Sequence, residues 1–452
     1  MKNQEQDLTV GSVTKKLVRF ALPLFGANLL QSFYSIADML IVGRYVGKTG
    51  LAAISNASML SYIITSVCIG MTMGGTVLVS QYKGAHDEQG QKETVGTLFS
   101  LSFFSSIVVT IVSLLLYAPL FSFLQVPVEA MKEACDYMRI ICLGTIFVFG
   151  YNAVGSLMKG FGDSKSPLFF VAIATVANIL LDFLFVGSMD MGTKGAAYAT
   201  ILSQGFSLAI SIIHLKRKNC LFDFKLHSFA IQKDTLVTIL KVGLPTAVQM
   251  VIVNISYLLV TGMLNTYGVS VAAASGIGLK INTFAGMPCW AIGQAVTAMA
   301  GQNMGAANIE RVKKTTRSGL FLNLLVTLFI VVLVQLFSEH IIGLFAPASQ
   351  DVMEEGVMYL RICCSINSLV YAVMYTLDSF AIGVGSANMA MCNAILDAMV
   401  VRLPASWLLA YTFQLGYMGV YIGQALSPIL PATVGIIFFA RKKWTSKKLI
   451  TM

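Results

Sequence analysis

Twelve apolar runs dominate the chain, at about 17–42, 51–80, 94–118, 137–158, 168–188, 194–215, 236–264, 271–301, 316–337, 358–381, 388–411 and 416–440. A bilayer core about 30 Å thick is crossed by about 20 helical residues, or by a tilted strand of about 10. Runs of this length are therefore helices, which satisfy their own backbone hydrogen bonds in lipid. Hydrophobic residues make up 56% of the 452, and charged residues only 12%. That charged share is about half of what soluble proteins carry. Such a chain is not a soluble enzyme, a disordered protein or a fibre. The reading is an all-α polytopic membrane protein with twelve transmembrane helices.

The net charge of +10 orients it. Basic residues gather before odd-numbered runs and after the last: Lys2, Lys15, Lys16 and Arg19; Lys216, Arg217 and Lys218; Arg311, Lys313, Lys314 and Arg317; Arg441, Lys442, Lys443, Lys447 and Lys448. The opposite gaps hold far fewer, such as Arg44, Lys132 and Arg361. The positive-inside rule predicts both termini in the cytoplasm. The same charge favours anionic lipid headgroups as partners, not nucleic acid. The first sixteen residues are polar and lack the marks of a signal peptide. The eight cysteines, Cys220 among them, show no C-x-x-C and read as buried thiols. No cofactor motif stands out: Lys159–Ser166 lacks the glycine that a phosphate loop needs before its lysine, and H-E-x-x-H is absent.

The sequence repeats itself. Leu22-Pro23 returns as Leu244-Pro245, Gln81 to Ala85 as Gln302 to Ala306, and Tyr137-Met138-Arg139-Ile140 as Tyr359-Leu360-Arg361-Ile362. Gly160-x-Gly162 returns as Gly383-x-Gly385, and Gly192/Gly195 as Gly416/Gly419, with offsets of 221 to 224 residues. The predicted organisation is an N-terminal lobe (1–215), a cytoplasmic linker (216–235) and a C-terminal lobe (236–452). An even number of spans per half lets both enter from one side. The two six-helix lobes are then related by a pseudo-two-fold axis along the membrane normal. Two lobes without a nucleotide-binding domain suit a secondary transporter, expected to be monomeric.

Only Asp38, Asp182, Asp378 and Asp397 place a carboxylate inside a span. A lone charge at bilayer depth costs about 2.5–3.5 kcal/mol on insertion scales, so each is expected to face a wet cavity or a partner. Gln31, Tyr34 and Asp38 share one helical face, and Asn178 and Asp182 share another. With Thr200 they offer two carboxylates, an amide and a hydroxyl, all hard oxygen donors suited to Na⁺. Asp38, Asn178 and Asp182 are the candidate metal ligands. Without a metal, two close carboxylates would share a proton instead. The repeat equivalents of Asp38, Asn178 and Asp182 are Val260, Val401 and Ala405, so this set exists once. In the second half, Arg402 can neutralise Asp397 on the same span. Asp378 is a candidate for recognising a cationic substrate. Asn152, Gln249, Asn254 and Tyr257 could line the cleft, and helix–helix hydrogen bonding explains them nearly as well. No nucleophile–base constellation supports an intramembrane enzyme.

At these residues the chain resembles the multidrug and toxic compound extrusion (MATE) family, in its bacterial DinF-like branch. The likeness runs through Leu22-Pro23, Gln31-x-x-Tyr34-x-x-Ala37-Asp38, Gln81-x-x-Gly84-Ala85, Gly160-x-Gly162-Asp163, Asn178-x-x-x-Asp182 and Gly195 to Thr200. It implies an Na⁺- or H⁺-driven antiporter in the bacterial cytoplasmic membrane that expels organic cations and drugs. It also implies a first-lobe cation site at Asp38, Asn178, Asp182 and Thr200 with Tyr34 beside it, and drug contacts at Gln31 and Asn152. The family's Arg before the glycine matched by Gly383 is Ile382 here, and Asp378 has no family counterpart. A lipid-linked oligosaccharide flippase of the same superfamily is the alternative. It would want a strongly basic cleft, and Lys280 and Arg402 supply little.

Overall fold

The computed structural model describes residues 7–123, 126–217, 222–345, 349–446 and 449–450. Lys2, Lys218, Cys220, Lys447 and Lys448 lie outside them. The helices are α1 Val13–Tyr45, α2 Lys48–Gly84, α3 Glu88–Phe123, α4 Val128–Leu143, α5 Thr145–Gly160, α6 Lys165–Ser188 and α7 Gly192–Arg217. They continue as α8 Lys233–Asn265, α9 Val269–Gly305, α10 Ile309–Gly343, α11 Gln350–Cys363, α12 Ile366–Gly383, α13 Ala387–Thr412 and α14 Gly416–Ala440. Among the described residues, nine helices are long and apolar enough to cross a membrane. The pairs α4/α5 and α11/α12, bent by 50° and 48°, are long and apolar enough for one more span each when taken together. The twelfth expected run, 271–301, lies on α9, a 37-residue helix that is not among them. The protein is a multi-pass, all-helical membrane protein.

The duplication is written into the backbone. Outside glycine a positive φ is uncommon, yet His86 and Ala307 share it at 57° and 56°, and Asp190 and Gln414 at 51° and 58°. Gly162/Gly385 and Gly192/Gly416 match in the same way. The two bent pairs are equivalent, and each is tied to the second helix of its half by the same bond. Thr76 Oγ1 donates to the Ser156 carbonyl (3.0 Å), and Thr297 Oγ1 to that of Ser379 (2.9 Å).

The chain forms two compact units. Gly26–Ala247 belongs to the first; Leu8–Phe25 and the chain from Val248 onward belong to the second. Two long helices, α1 and α8, therefore change unit, each three residues after an internal proline, Pro23 or Pro245. Proline removes one backbone donor from the helix ladder, and its ring crowds the preceding turn.

In the first unit, α2 and the start of α8 approach with almost no side chain between them. A Cβ on Gly70 would lie 2.2 Å from the Ala247 Cα, and one on Gly74 2.2 Å from the Ile239 carbonyl oxygen. Small residues permit this approach, the usual device where lipid supplies no hydrophobic drive. Linker residues Phe222, Phe224 and Phe229 ring Phe99 of α3 at 6.0–6.2 Å. In the second unit, Leu17, Phe20, Ala21 and Leu24 pack with Ala291, Ala295 and Met299 of α9. Arg311 holds the preceding segment, donating to the carbonyls of Leu8, Val10 and Gly11.

Candidate functional site

Four helices of the first unit converge on one buried polar cluster. Helix α1 supplies Tyr34 and Asp38, one turn apart on one face. Asn178 and Asp182 come from α6. Immediately after Asp182 the helix widens into a π-turn, Phe183–Ser188. Such i→i+5 turns are rare and occur often at functional sites; this one has an equivalent at Leu408–Thr412. Helix α7 supplies Thr200, whose Oγ1 accepts a 3.0 Å hydrogen bond from the Tyr34 hydroxyl.

Asn178 and Asp182 are fully buried, Asp38 is 6% exposed and Thr200 9%. Asp38 and Asp182 lie within electrostatic reach of each other. Neither carboxyl oxygen of Asp182 has a hydrogen-bond partner in the protein, nor has Asp38 Oδ1, nor either polar atom of the Asn178 amide. Buried polar side chains are normally paired. Five such atoms in one place, four of them oxygens, make a site whose acceptors outnumber its donors. A proton or a small hard cation suits that chemistry.

One member escaped the sequence reading. Tyr137 of α4 is 6% exposed, shares the electrostatic field of Asp38 and Asp182, and meets the Thr200 hydroxyl. Its signal was the repeated Tyr-x-Arg-Ile, which marks the position without giving it a role.

The remaining candidates do not converge in one unit. Gln31 and Asn152 belong to the first. Gln31 is exposed, and Asn152 Nδ2 donates to the Val148 carbonyl of its own helix (2.8 Å). Gln249, Asn254, Tyr257 and Asp378 belong to the second. Asn254 Nδ2 likewise bonds its own helix, at the Met250 carbonyl (3.0 Å), and Gln249 Oε1 is buried without a partner. The Tyr257 ring receives the Arg402 guanidinium 4.3 Å from its centroid. Asp378 is 3% exposed and accepts from Asn393 Nδ2 at 2.6 Å. Arg402 pairs with Asp397, as expected from the sequence.

Comparison with known proteins identifies the fold and the family. The chain is 29% identical to the Probable multidrug resistance protein YpnP of Bacillus subtilis, covering 98% of this chain and 99% of that one. It is 28% identical to the Probable multidrug resistance protein YoeA of the same organism, covering 97% and 96%. Its fold matches, with a TM-score of 0.91 and 22% identity over 99% of both chains, a structure described as the outward-facing conformation of a multidrug resistance MATE family transporter of the MOP superfamily. The MatE family profile matches residues 23–184 and, again, 245–408, one copy in each half of the duplication. The chain belongs to the MatE family.

Proposed function

We propose that this protein is a multidrug efflux transporter that couples export of organic cations to inward movement of Na⁺ or H⁺ through the first-unit cluster. The observation that carries the reading is the set of donor-poor, buried oxygens at Asp38, Asn178 and Asp182, with Thr200 and Tyr34 at its edge. Family membership supplies the transport setting, and relatives named for multidrug resistance supply the substrate class.

In this reading the cluster carries one exchangeable charge. Two carboxylates in a site of low polarity cannot both stay ionised without a counter-charge. Loading a cation relieves the repulsion and draws α1, α6 and α7 together; unloading releases them. Coupling follows only if the ion prefers one conformation of the unit and the drug prefers another, because a ligand shifts an equilibrium by its differential affinity alone. The candidate drug contacts are Gln31 and Asn152 within the first unit and, separately, Gln249, Asn254 and Tyr257 within the second, where the Tyr257 ring already carries the Arg402 guanidinium. The distribution of Lys and Arg supports cytoplasmic termini in a bacterial cytoplasmic membrane.

The test is uptake of a fluorescent organic cation into proteoliposomes, with sodium and proton gradients imposed separately. The reading requires one gradient to drive accumulation of the dye. Lipid scrambling without dye transport would instead indicate the flippase.

A further inference from the structure

The second unit has its own buried acidic cluster, built from different residues. Asp378 of α12 and Asn393 and Asp397 of α13 are 3%, 0% and 1% exposed. Asp378 and Asp397 lie within electrostatic reach of one another, and Asn393 donates its amide nitrogen to Asp378. Arg402 is the neighbouring cation, and it donates to only one of the two carboxylates: Nη2 to Asp397 Oδ2, with Nη1 to Ser256 and Nε to Ser427. With both carboxylates ionised, one negative charge would stand uncompensated by the single guanidinium.

Two fully buried oxygens in this cluster, Asn393 Oδ1 and Asp397 Oδ1, have no hydrogen-bond partner. Asn393 turns its nitrogen to Asp378, so its carbonyl oxygen remains as a further acceptor beside two carboxylates. A proton on Asp378 could satisfy one such acceptor. A cation coordinated by several oxygens satisfies them together and balances the charge. The surplus of one charge suits a monovalent ion; a calcium ion would demand six to eight oxygens. Gly155, Phe170 and Ala174 stand at the equivalent places in the first half, so this cluster is no relic of the duplication.

We propose that Asp378, Asn393 and Asp397 form a second cation site, internal to the second unit, that takes a Na⁺-sized monovalent ion. The site stands apart from the Asp38/Asp182 reading and survives or fails without it.

The experiment is equilibrium binding of ²²Na⁺ to the purified full-length protein, with circular dichroism and monodispersity confirming each variant's fold. Asp38→Asn/Asp182→Asn should leave one saturable Na⁺ per protein, and adding Asp378→Asn should abolish it. Asn393→Leu, which removes a neutral oxygen and keeps the charges, should weaken that binding by about tenfold, the order found when a metal site loses a supporting group. It decides the matter should Asp378→Asn fail to fold. The proposal is overturned if Asp38→Asn/Asp182→Asn alone eliminates Na⁺ binding, or if Asp378→Asn and Asn393→Leu both leave the remaining binding unchanged. Failure of the first-unit reading looks different: Na⁺ binding that Asp378→Asn abolishes, with gradient-driven transport intact in Asp38→Asn.

Discussion

Arg402 reaches Asp397 across a π-turn. The two residues lie five apart, a spacing that an α-helix sets on different faces, and the turn Leu396–Arg402 brings them together as a buried ion pair. The guanidinium also bonds Ser256, the repeat equivalent of Tyr34. The second unit thus holds a tethered cation beside the residue matching Tyr34, which in the first unit borders a cluster with no basic partner among the described residues.

Arg402→Met therefore strands a buried carboxylate. Losing one partner of such a pair costs about 3–5 kcal/mol, whereas replacing both is often neutral. Thermal unfolding in detergent should show a large loss for Arg402→Met and recovery of much of it in Asp397→Leu/Arg402→Met. Equal losses in the single and double variants would refute the pairing.

Tyr34→Phe removes one hydroxyl and leaves the ring. The bond to Thr200 is worth about 1 kcal/mol, so folding should change little. Since Tyr34 borders the cluster and is not one of its carboxylates, ion-driven dye transport should weaken several-fold and persist. Proteoliposome assays at graded ion concentration check this; complete loss would move Tyr34 to the centre of the site.

Gly74→Ala drives a Cβ to 2.2 Å from a backbone oxygen. No rotamer change relieves a clash with backbone, so α2 and α8 must part. A destabilisation of about 1–3 kcal/mol is expected, as for overpacked cores. Gly262→Ala on α8, where a Cβ meets nothing within 4 Å, is the control. It should be neutral or stabilising by up to about 1 kcal/mol.

Arg311→Ala frees the carbonyls of Val10 and Gly11 and leaves that of Leu8 with Asn303 Nδ2. Hydrogen exchange over residues 8–14 should rise in that variant while the cores of α9 and α12 stay protected. Unchanged exchange would show that the bonds of Leu8 to Gln302 and Asn303 and the packing of Leu17, Phe20 and Leu24 hold the segment without Arg311.

Much of this was legible in the sequence because lipid simplifies the rules. Apolar length marked the spans, and the Leu-Pro, Gly-x-Gly and Tyr-x-Arg-Ile matches marked the duplication that the paired turns at His86 and Ala307 display. Buried aspartates are so costly that Asp38 and Asp182 stood out at once. Tyr137 did not, because an aromatic in an apolar run carries no such cost. The grouping of Asp378 with Asn393 was hidden for another reason: it depends on how α12 packs against α13, and fifteen residues of separation say nothing about that. The change of unit by α1 and α8 was equally invisible, since helical periodicity continues straight through Pro23 and Pro245.

The central claim is that Asp38 and Asp182 carry the coupling ion. Its most direct test is gradient-driven uptake of a fluorescent cation by Asp38→Asn reconstituted at wild-type density. The account predicts that dye still binds and that no ion gradient drives its accumulation. Accumulation at the wild-type rate under the same gradient would contradict it.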